Sequence, residues 1–161
     1  MKMRRHERRK TMSNTNFLNQ LQNILQDPNF QLQVANACSK AYAEGVGHPE
    51  WHSDFGEENQ QMIAQNLAGP LAVNTGISVI ALLREEEPKK VLEDIVTGNV
   101  SEDEKNILLR LANLSWAAQQ PFRGRAERVN VFDLLSQEEV EKDYVQITTA
   151  AKMMYEALAS A

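Results

Sequence analysis

The chain has 161 residues, of which 42% are hydrophobic and 24% charged, with a net charge of −5. These values are ordinary for one globular domain, and the chain is long enough to bury a core without disulfides or metals, so they argue against a disordered chain. Cys38 is the only cysteine, which excludes an intramolecular disulfide and a cysteine-based zinc site. No apolar signal core follows the charged start, and the most apolar stretch, 77–83, is too short to span a bilayer. The sequence therefore predicts a cytoplasmic protein without membrane contact.

Charge is unevenly distributed along the chain. Residues 1–10 contain six Lys and Arg against one Glu, so this segment carries +5 and residues 11–161 carry −10. The acidic body would repel a phosphate backbone, so nucleic acid would be reached only through the basic segment. That segment has no aromatic residues between its charges and too little apolar character to pack. We therefore predict a basic flexible arm over residues 1–12 and a single helical domain over residues 13–161.

Two amphipathic helices are predicted in the first 45 residues. Apolar residues recur with helical spacing over 16–26, and Asp27-Pro28 ends this segment because a residue before proline avoids the α region. The second helix is expected over 29–44, with Gly45 as its left-handed C-terminal cap. Its expected buried residues are Phe30, Val34, Ala37, Cys38, Ala41 and Tyr42.

Further helices are predicted over 57–67, 71–87 and 88–97, from 101 to just before Pro121, and from 136 towards Leu158. Segment 71–87 contains residues that also suit a strand, but a lone strand would have no partner, so we predict a helix. Ser101-Glu102-Asp103-Glu104 is a capping box, and Ser136-Gln137-Glu138-Glu139 repeats it. The predicted fold class is therefore all-α, with five to seven helices in a bundle-like or orthogonal arrangement.

The loop over residues 45–56 contains His48 and His52, four residues apart and beside several carboxylates. Imidazole and carboxylate ligands suit zinc or iron, and a histidine pair at this spacing on a helix can share a metal. Pro49 lies between them and favours a loop, where the spacing carries little meaning. We therefore favour a solvated loop around a packed Trp51, and a metalloenzyme centred on the two histidines is the least favoured alternative.

Recognisable catalytic motifs are absent from the sequence, which has no Gly-rich phosphate loop and no nucleophile elbow. The glutamate runs at 85–87 and 138–139 are explained by helix ends and caps. Cys38 falls on an apolar helical face and is expected in the core rather than as a nucleophile. We therefore expect a protein that is not an enzyme and needs no cofactor.

An arginine cluster follows the helix that starts at residue 101. Guanidinium groups beside aromatic faces suit a phosphate or nucleotide, although the same arginines could pair with acidic helices in solvent. In the candidate ligand site, aromatic rings would stack a base or a peptide side chain and arginines would hold an anion. The candidate residues are Trp116, Phe122, Arg123, Arg125 and Arg128, with Trp51 and Tyr42 as possible walls.

The last third of the chain combines Trp116 near a helix end, the segment FDLLSQEE at 132–139, and Lys142-Asp143. In these features residues 101–158 resemble the ryanodine-receptor-type domain of bacterial and phage proteins and of the calcium channels that name it. Asn113 stands where that family typically has histidine, and Asn130-Val131 replaces its proline approach. The resemblance implies a non-enzymatic binding module in a bacterial or phage setting, and it assigns no ligand.

The function predicted from the sequence is a non-enzymatic binding or regulatory module of bacterial or phage origin. Its partner would be a phosphate-bearing, nucleotide-like small ligand or an acidic protein. The alternative is a structural or assembly protein, in which the glutamine-rich first helix would serve as the interface of a homo-oligomer.

Overall fold

The computed structural model describes the backbone of residues 5–118 and 137–160, and the side chains of residues 14–118 and 140–160. These ranges contain α1 (Arg5–Gln26), α2 (Pro28–Gly45), α3 (Gln60–Gln65), α4 (Ala68–Arg84), α5 (Pro88–Thr97), α6 (Glu102–Ala118) and α7 (Gln137–Ser160). A 3-10 turn covers Pro49–Trp51, and the described ranges contain no strand. The predicted single all-α domain of five to seven helices is confirmed. Segment 71–87 is helical as far as Arg84, where Glu85 caps the helix in the left-handed conformation.

Helix α4 lies at the centre of the fold and packs against α5, α6 and α7. Helix α2 packs along α7, and α1 contacts α2, α5 and α7. Helices cover α4 on several sides, and its exposed positions, which include Leu71, Val79 and Leu82, are largely apolar. The fully buried core side chains include Leu21, Val34, Cys38, Val73, Ile77, Ile80, Leu92, Ile95, Leu108, Ile147 and Met154.

Several helix boundaries follow from local signals in the sequence. The Asp27 side chain accepts a hydrogen bond from the Asn29 N–H at 3.1 Å, and Pro28 occupies the first turn of α2. Gly98 ends α5 with a φ of 84°. In the capping box before α6, the Ser101 N–H donates to Glu104 at 2.9 Å and the Glu104 N–H donates to Ser101 at 3.1 Å. The capping box predicted at Ser101–Glu104 and the predicted end of α5 are confirmed, whereas the cap by Asp27 was not predicted.

Other local expectations were wrong. The residue with positive φ after α2 is Gly47, at 81°, because the chain takes an extra residue, Val46, to cap the helix before it turns. Tyr42 is 37% exposed, whereas α2 buries Phe30, Val34 and Cys38 as predicted and Ala35 and Ala43 in addition. Trp51 is 64% exposed rather than packed.

Helices α1 and α3 also differ in length from their predicted spans. Helix α1 begins at Arg5 rather than near Asn16, so its backbone includes most of the basic segment. Helix α3 begins at Gln60 rather than near 57, because the Asn59 side chain accepts from the Met62 N–H at 3.2 Å and caps the helix there. That residues 1–12 form a flexible arm stays a prediction.

One stretch of the described chain is long and apolar enough to cross a membrane by length and composition. It runs from Gln60 to Arg84 and covers α3 and α4, and an 18-residue window within it has a mean hydropathy of 1.5. The same stretch contains the central core helix, and buried core helices commonly satisfy this criterion.

Candidate functional site

A cavity of about 560 Å³ lies between four helices. Its walls are the C-terminal halves of α2 and α6, the first turn of α4, and the N-terminal half of α7, with α3 along one edge. Tyr42 of α2 and Trp116 of α6 both line it, and each ring is about one-third exposed. The cavity therefore brings together two of the aromatic residues that the sequence indicated as ligand contacts.

The base of the cavity forms where α2, α4 and α7 converge on one backbone carbonyl. The Cys38 thiol donates to the Gln146 carbonyl oxygen at 3.5 Å, and a Cβ at Gly69 would lie 3.0 Å from the same oxygen. Glycine at position 69 thus lets the first turn of α4 approach α7 closely. Burial raises the pKa of Cys38 to about 12, so the thiol stays protonated and keeps its donor. The prediction that Cys38 belongs to the core is confirmed.

The cavity lining is mixed in polarity. Met62, Leu109 and Ala112 contribute apolar surface, and Gln65, Asn66 and Asn113 contribute side-chain amides. The Asn66 amide donates to the Met62 carbonyl at 2.8 Å, which fixes its orientation at the end of α3. Among the described lining residues the only charged side chain is that of Asp143, from α7. The lining as described therefore offers hydrogen-bonding groups and one negative charge.

A hydrogen-bond chain leads from the cavity wall to the protein surface. Ser39, which lines the cavity, has its hydroxyl oxygen 2.9 Å from His52 Nδ1, and His52 Nε2 lies 2.9 Å from Asp54 Oδ1. The His52 side chain is only 6% exposed, whereas that of Asp54 is 85% exposed. His52 therefore connects a surface carboxylate to the hydroxyl of a residue that lines the cavity.

The loop between α2 and α3 is held against α2 near this chain. Asn36 of α2 donates to the Phe55 carbonyl at 3.0 Å and accepts from the Phe55 N–H at 3.0 Å. The ring of Phe55 also contacts His52 edge-on, with ring centroids 6.2 Å apart. Two polar side chains of α2, Asn36 and Ser39, thus fix the position of the loop.

His48 and Trp51 lie elsewhere in the same loop. Their rings stack with centroids 4.3 Å apart, and His48 Nδ1 lies 2.9 Å from Glu50 Oε1. Trp51 is not among the residues that line the cavity. No group of three or more His, Cys, Asp or Glu side chains in the described part of the chain is arranged to hold a metal ion.

The candidate ligand-site residues that the sequence indicated fall into three groups. Tyr42 and Trp116 meet at the cavity, Trp51 lies apart from it, and Phe122, Arg123, Arg125 and Arg128 lie outside the described residues. Segment 132–136 of the family-like pattern also lies outside them, whereas Trp116 and Asp143 of that pattern both line the cavity.

Sequence reasoning missed Ser39 and its connection to His52. A serine in a helix carries no distinctive signal by itself, and His52 was read only as half of a histidine pair. The paired features that could have indicated the link are a polar face on α2, formed by Asn36 and Ser39, and a histidine in the adjoining loop.

Comparison with known proteins gives no match to a family model, to a curated protein or to a solved structure.

Proposed function

We propose that the chain is a non-enzymatic binding or regulatory module, of bacterial or phage origin, whose ligand site is the cavity between α2, α4, α6 and α7. The observation that carries the proposal is the cavity of about 560 Å³ with Tyr42 and Trp116 in its walls. Small-molecule sites are typically concave, 300–1,000 Å³ in volume, and mostly apolar with a few placed polar groups. The volume and the mixed lining fit that description.

The ligand is a phosphate-bearing, nucleotide-like molecule whose planar part enters the cavity. Tyrosine and tryptophan offer ring faces to a planar group, and the amides of Gln65, Asn66 and Asn113 offer hydrogen bonds to its edge. Arg123, Arg125 and Arg128, which lie outside the described residues, are proposed to hold the phosphate.

The Ser39–His52–Asp54 chain has the residue types of a hydrolytic triad, so catalysis needs an explicit test. A serine nucleophile needs hydrogen-bond donors for the developing oxyanion, often backbone N–H groups next to the serine. Ser39 lies inside α2, whose interior N–H groups bond to carbonyls of the helix itself. This supports a hydrogen-bonding role for Ser39, not a nucleophilic one.

A fluorophosphonate probe tests that distinction. We expect no covalent adduct on Ser39 after incubation of the purified protein with the probe, as measured by mass spectrometry of the tryptic peptides. An adduct on Ser39 that disappears in His52→Ala would replace the binding proposal with an acyl-transfer activity.

Native mass spectrometry of the purified protein tests the binding proposal directly. We expect a co-purifying small molecule that is lost in Trp116→Ala and in Tyr42→Ala. The matched controls are Trp51→Ala and Tyr155→Ala, because Trp51 lies outside the cavity and Tyr155 is 38% exposed, close to the 37% of Tyr42. Equal loss in cavity variants and controls, or no bound molecule in any sample, would contradict the proposal.

The phosphate contact has a separate test. Reversing Arg123 and Arg125 to Glu should abolish binding of the co-purified molecule in calorimetry while the melting temperature stays nearly unchanged. If the double variant unfolds, these arginines pair with acidic helices instead.

The assembly alternative is favoured by a different observation. Leu82 and Leu83, near the end of α4, are 80% and 68% exposed, and Val79 and Leu71 on the same helix are 37% and 43% exposed. Contiguous exposed apolar side chains are typical of protein interfaces. Light scattering after size-exclusion chromatography distinguishes assembly from small-ligand binding. A large closed oligomer that dissociates in the Leu82→Glu, Leu83→Glu double variant would favour assembly.

A further inference from the structure

The hydroxyl of Ser39 has a defined hydrogen-bond role because of the two residues behind it. Asp54 Oδ1 lies 2.9 Å from His52 Nε2, and an ionised carboxylate can only accept hydrogen bonds. In the neutral imidazole, Nε2 therefore carries the proton and Nδ1 has only its lone pair. Nδ1 lies 2.9 Å from the Ser39 oxygen, so Nδ1 accepts and the Ser39 O–H donates to it.

This arrangement fixes what Ser39 can offer to the cavity. A serine hydroxyl has one O–H donor and two acceptor lone pairs, and its only donor is used by His52. In a helix, a serine hydroxyl commonly donates to the backbone carbonyl one turn earlier. Such a bond would not involve His52. Because the Ser39 O–H donates to His52, the Ser39 oxygen can offer a ligand only acceptor lone pairs, and Ser39 is one of the residues that line the cavity.

We infer that the Asp54–His52–Ser39 chain makes the cavity selective for a planar ligand that carries an N–H donor on its ring edge, as an amino-substituted heteroaromatic base does. The inference rests on the proposed function and names the ligand class of the same site. Ser39 contacts the ligand, and His52 and Asp54 are positioning residues that act through it.

A second acceptor in the cavity supports the same ligand class. The Asp143 carboxylate lines the cavity, carries a negative charge and accepts hydrogen bonds, irrespective of its other contacts. A mismatched polar group in such a site is costly because buried groups would be left unpaired.

The position of His52 explains how the chain keeps its geometry. The His52 side chain is only 6% exposed, and Phe55, held by Asn36, packs against its edge. The ring therefore has little freedom to flip and exchange its two nitrogens. Ser39 and His52 are thirteen residues apart, so the loop fold, rather than local sequence, creates the pair.

The first experiment measures the imidazole directly. Long-range ¹H–¹⁵N spectra of the uniformly labelled full chain at a pH of about 8.5 identify the protonation state and the tautomer of His52. We expect the Nε2–H form in the wild type and a mixture of tautomers in Asp54→Asn. The Nδ1–H form in the wild type would overturn the inference, because Ser39 would then be free to donate to the ligand.

The second experiment uses a matched pair of probes, adenosine and its 6-methoxy analogue, in which an acceptor oxygen replaces the amino donor. We expect the wild type to bind adenosine about fivefold to tenfold more tightly than the analogue, as one hydrogen bond allows. The ratio should fall to nearly one in Ser39→Ala and stay unchanged in the control Ser115→Ala, since Ser115 does not line the cavity. Calorimetry or ligand-observed NMR gives both affinities.

The outcomes separate this inference from the proposed function. Equal affinities, a preference for the methoxy analogue, an unchanged ratio in Ser39→Ala, or no binding of either probe would overturn the inference. The proposed function would still stand in each case if native mass spectrometry shows a small molecule whose retention depends on Trp116 and Tyr42.

Discussion

At the C-terminal end of α4 the Arg84 guanidinium contacts carboxylates from two neighbouring helices. It lies 2.5 Å and 2.8 Å from the two oxygens of Glu104 on α6, and 2.6 Å from Asp94 Oδ2 on α5. These side chains are 18%, 14% and 8% exposed, so the charges are partly removed from water. The two-point contact with Glu104 matches the fork geometry that makes arginine pairs with carboxylates strong. Arg84 therefore connects α4 to α5 and α6 through ion pairs.

Replacing Arg84 tests that dependence. Arg84→Gln leaves Glu104 without its main counter-charge in a poorly solvated position and leaves Asp94 with Lys90 alone, so we expect a loss of about 3 kcal/mol in the free energy of unfolding. Urea denaturation measures the loss. The control Lys89→Gln removes an exposed cation near the start of α5 and should stay within about 0.5 kcal/mol of the wild type. A similar stability for both variants would show that the Arg84 contacts contribute little.

The same cluster predicts how stability responds to acid. Hydrogen bonding to Arg84 lowers the pKa of Glu104 to about 2; burial works against ionisation of Asp94, but hydrogen bonds from Lys90 and Arg84 still lower its pKa. Carboxylates whose pKa is lower in the folded state stabilise the fold at a pH above their unfolded pKa of about 4, and this contribution is lost as the pH falls towards about 2.

We therefore expect the stability difference between the wild type and Glu104→Gln to be largest above about pH 5 and to shrink as the pH falls towards 2. Urea unfolding at a series of pH values measures the difference. Two curves that stay parallel down to pH 2.5 would contradict the prediction, because they would mean that Glu104 has the same pKa in the folded and unfolded chain.

At the scale of single helices, the start of α6 depends on one reciprocal pair of hydrogen bonds. Ser101 caps the helix and Glu104 returns a bond to the Ser101 N–H, while Glu104 also holds Arg84. Glu104 therefore connects a local cap to the tertiary ion-pair cluster.

Removing the cap hydroxyl gives an element-scale prediction. Ser101→Ala should destabilise the protein by about 1 kcal/mol, because the Glu104 N–H loses its acceptor at the helix N-terminus. Thr75→Ala is the control, since Thr75 is exposed in the middle of α4 and alanine favours a helix. Thermal denaturation measures the stability of both variants. A Ser101→Ala protein as stable as the wild type would refute the capping role.

For the whole molecule, the contribution of the N-terminal segment has to be measured. Helix α1 joins the core through Leu21, which is fully buried, with Phe17 and Leu18 packed beside it. Residues 1–12 precede those contacts. The extension of α1 back to Arg5 lengthens the helix without changing which of its described side chains reach the core.

A chain that starts at Met12 should therefore keep its fold, with a change in melting temperature below about 3 °C, equivalent to less than ~1 kcal/mol. Leu21→Ala in the full chain is the positive control and should cost about 3 kcal/mol, because it leaves a cavity under α1. A truncation as damaging as Leu21→Ala would show that the basic segment packs on the body rather than forming an arm.

The sequence by itself determined the helices and many of their ends. Apolar spacing predicted α2, α4, α5, α6 and α7, and signals such as Pro88, Gly98 and Ser101 act on groups within one turn. Such interactions involve residues that are close in sequence, so they can be predicted from the sequence. Where a boundary depended on one competing local contact, as at Asn59 and Val46, the prediction missed it by a few residues.

The cavity was decided only by the tertiary structure. Tyr42 and Trp116 were chosen as separate aromatic landmarks, and only the packing of α2, α6 and α7 brings them to one site. Cys38 meets the Gln146 carbonyl across 108 positions, and no local pattern encodes that distance. An amphipathic pattern says that a helix face is buried, but which helix covers it depends on how all the buried surfaces fit together. The role of Ser39 follows from that fit. Its position in a helix would by itself favour a hydrogen bond from the hydroxyl to a backbone carbonyl of the preceding turn.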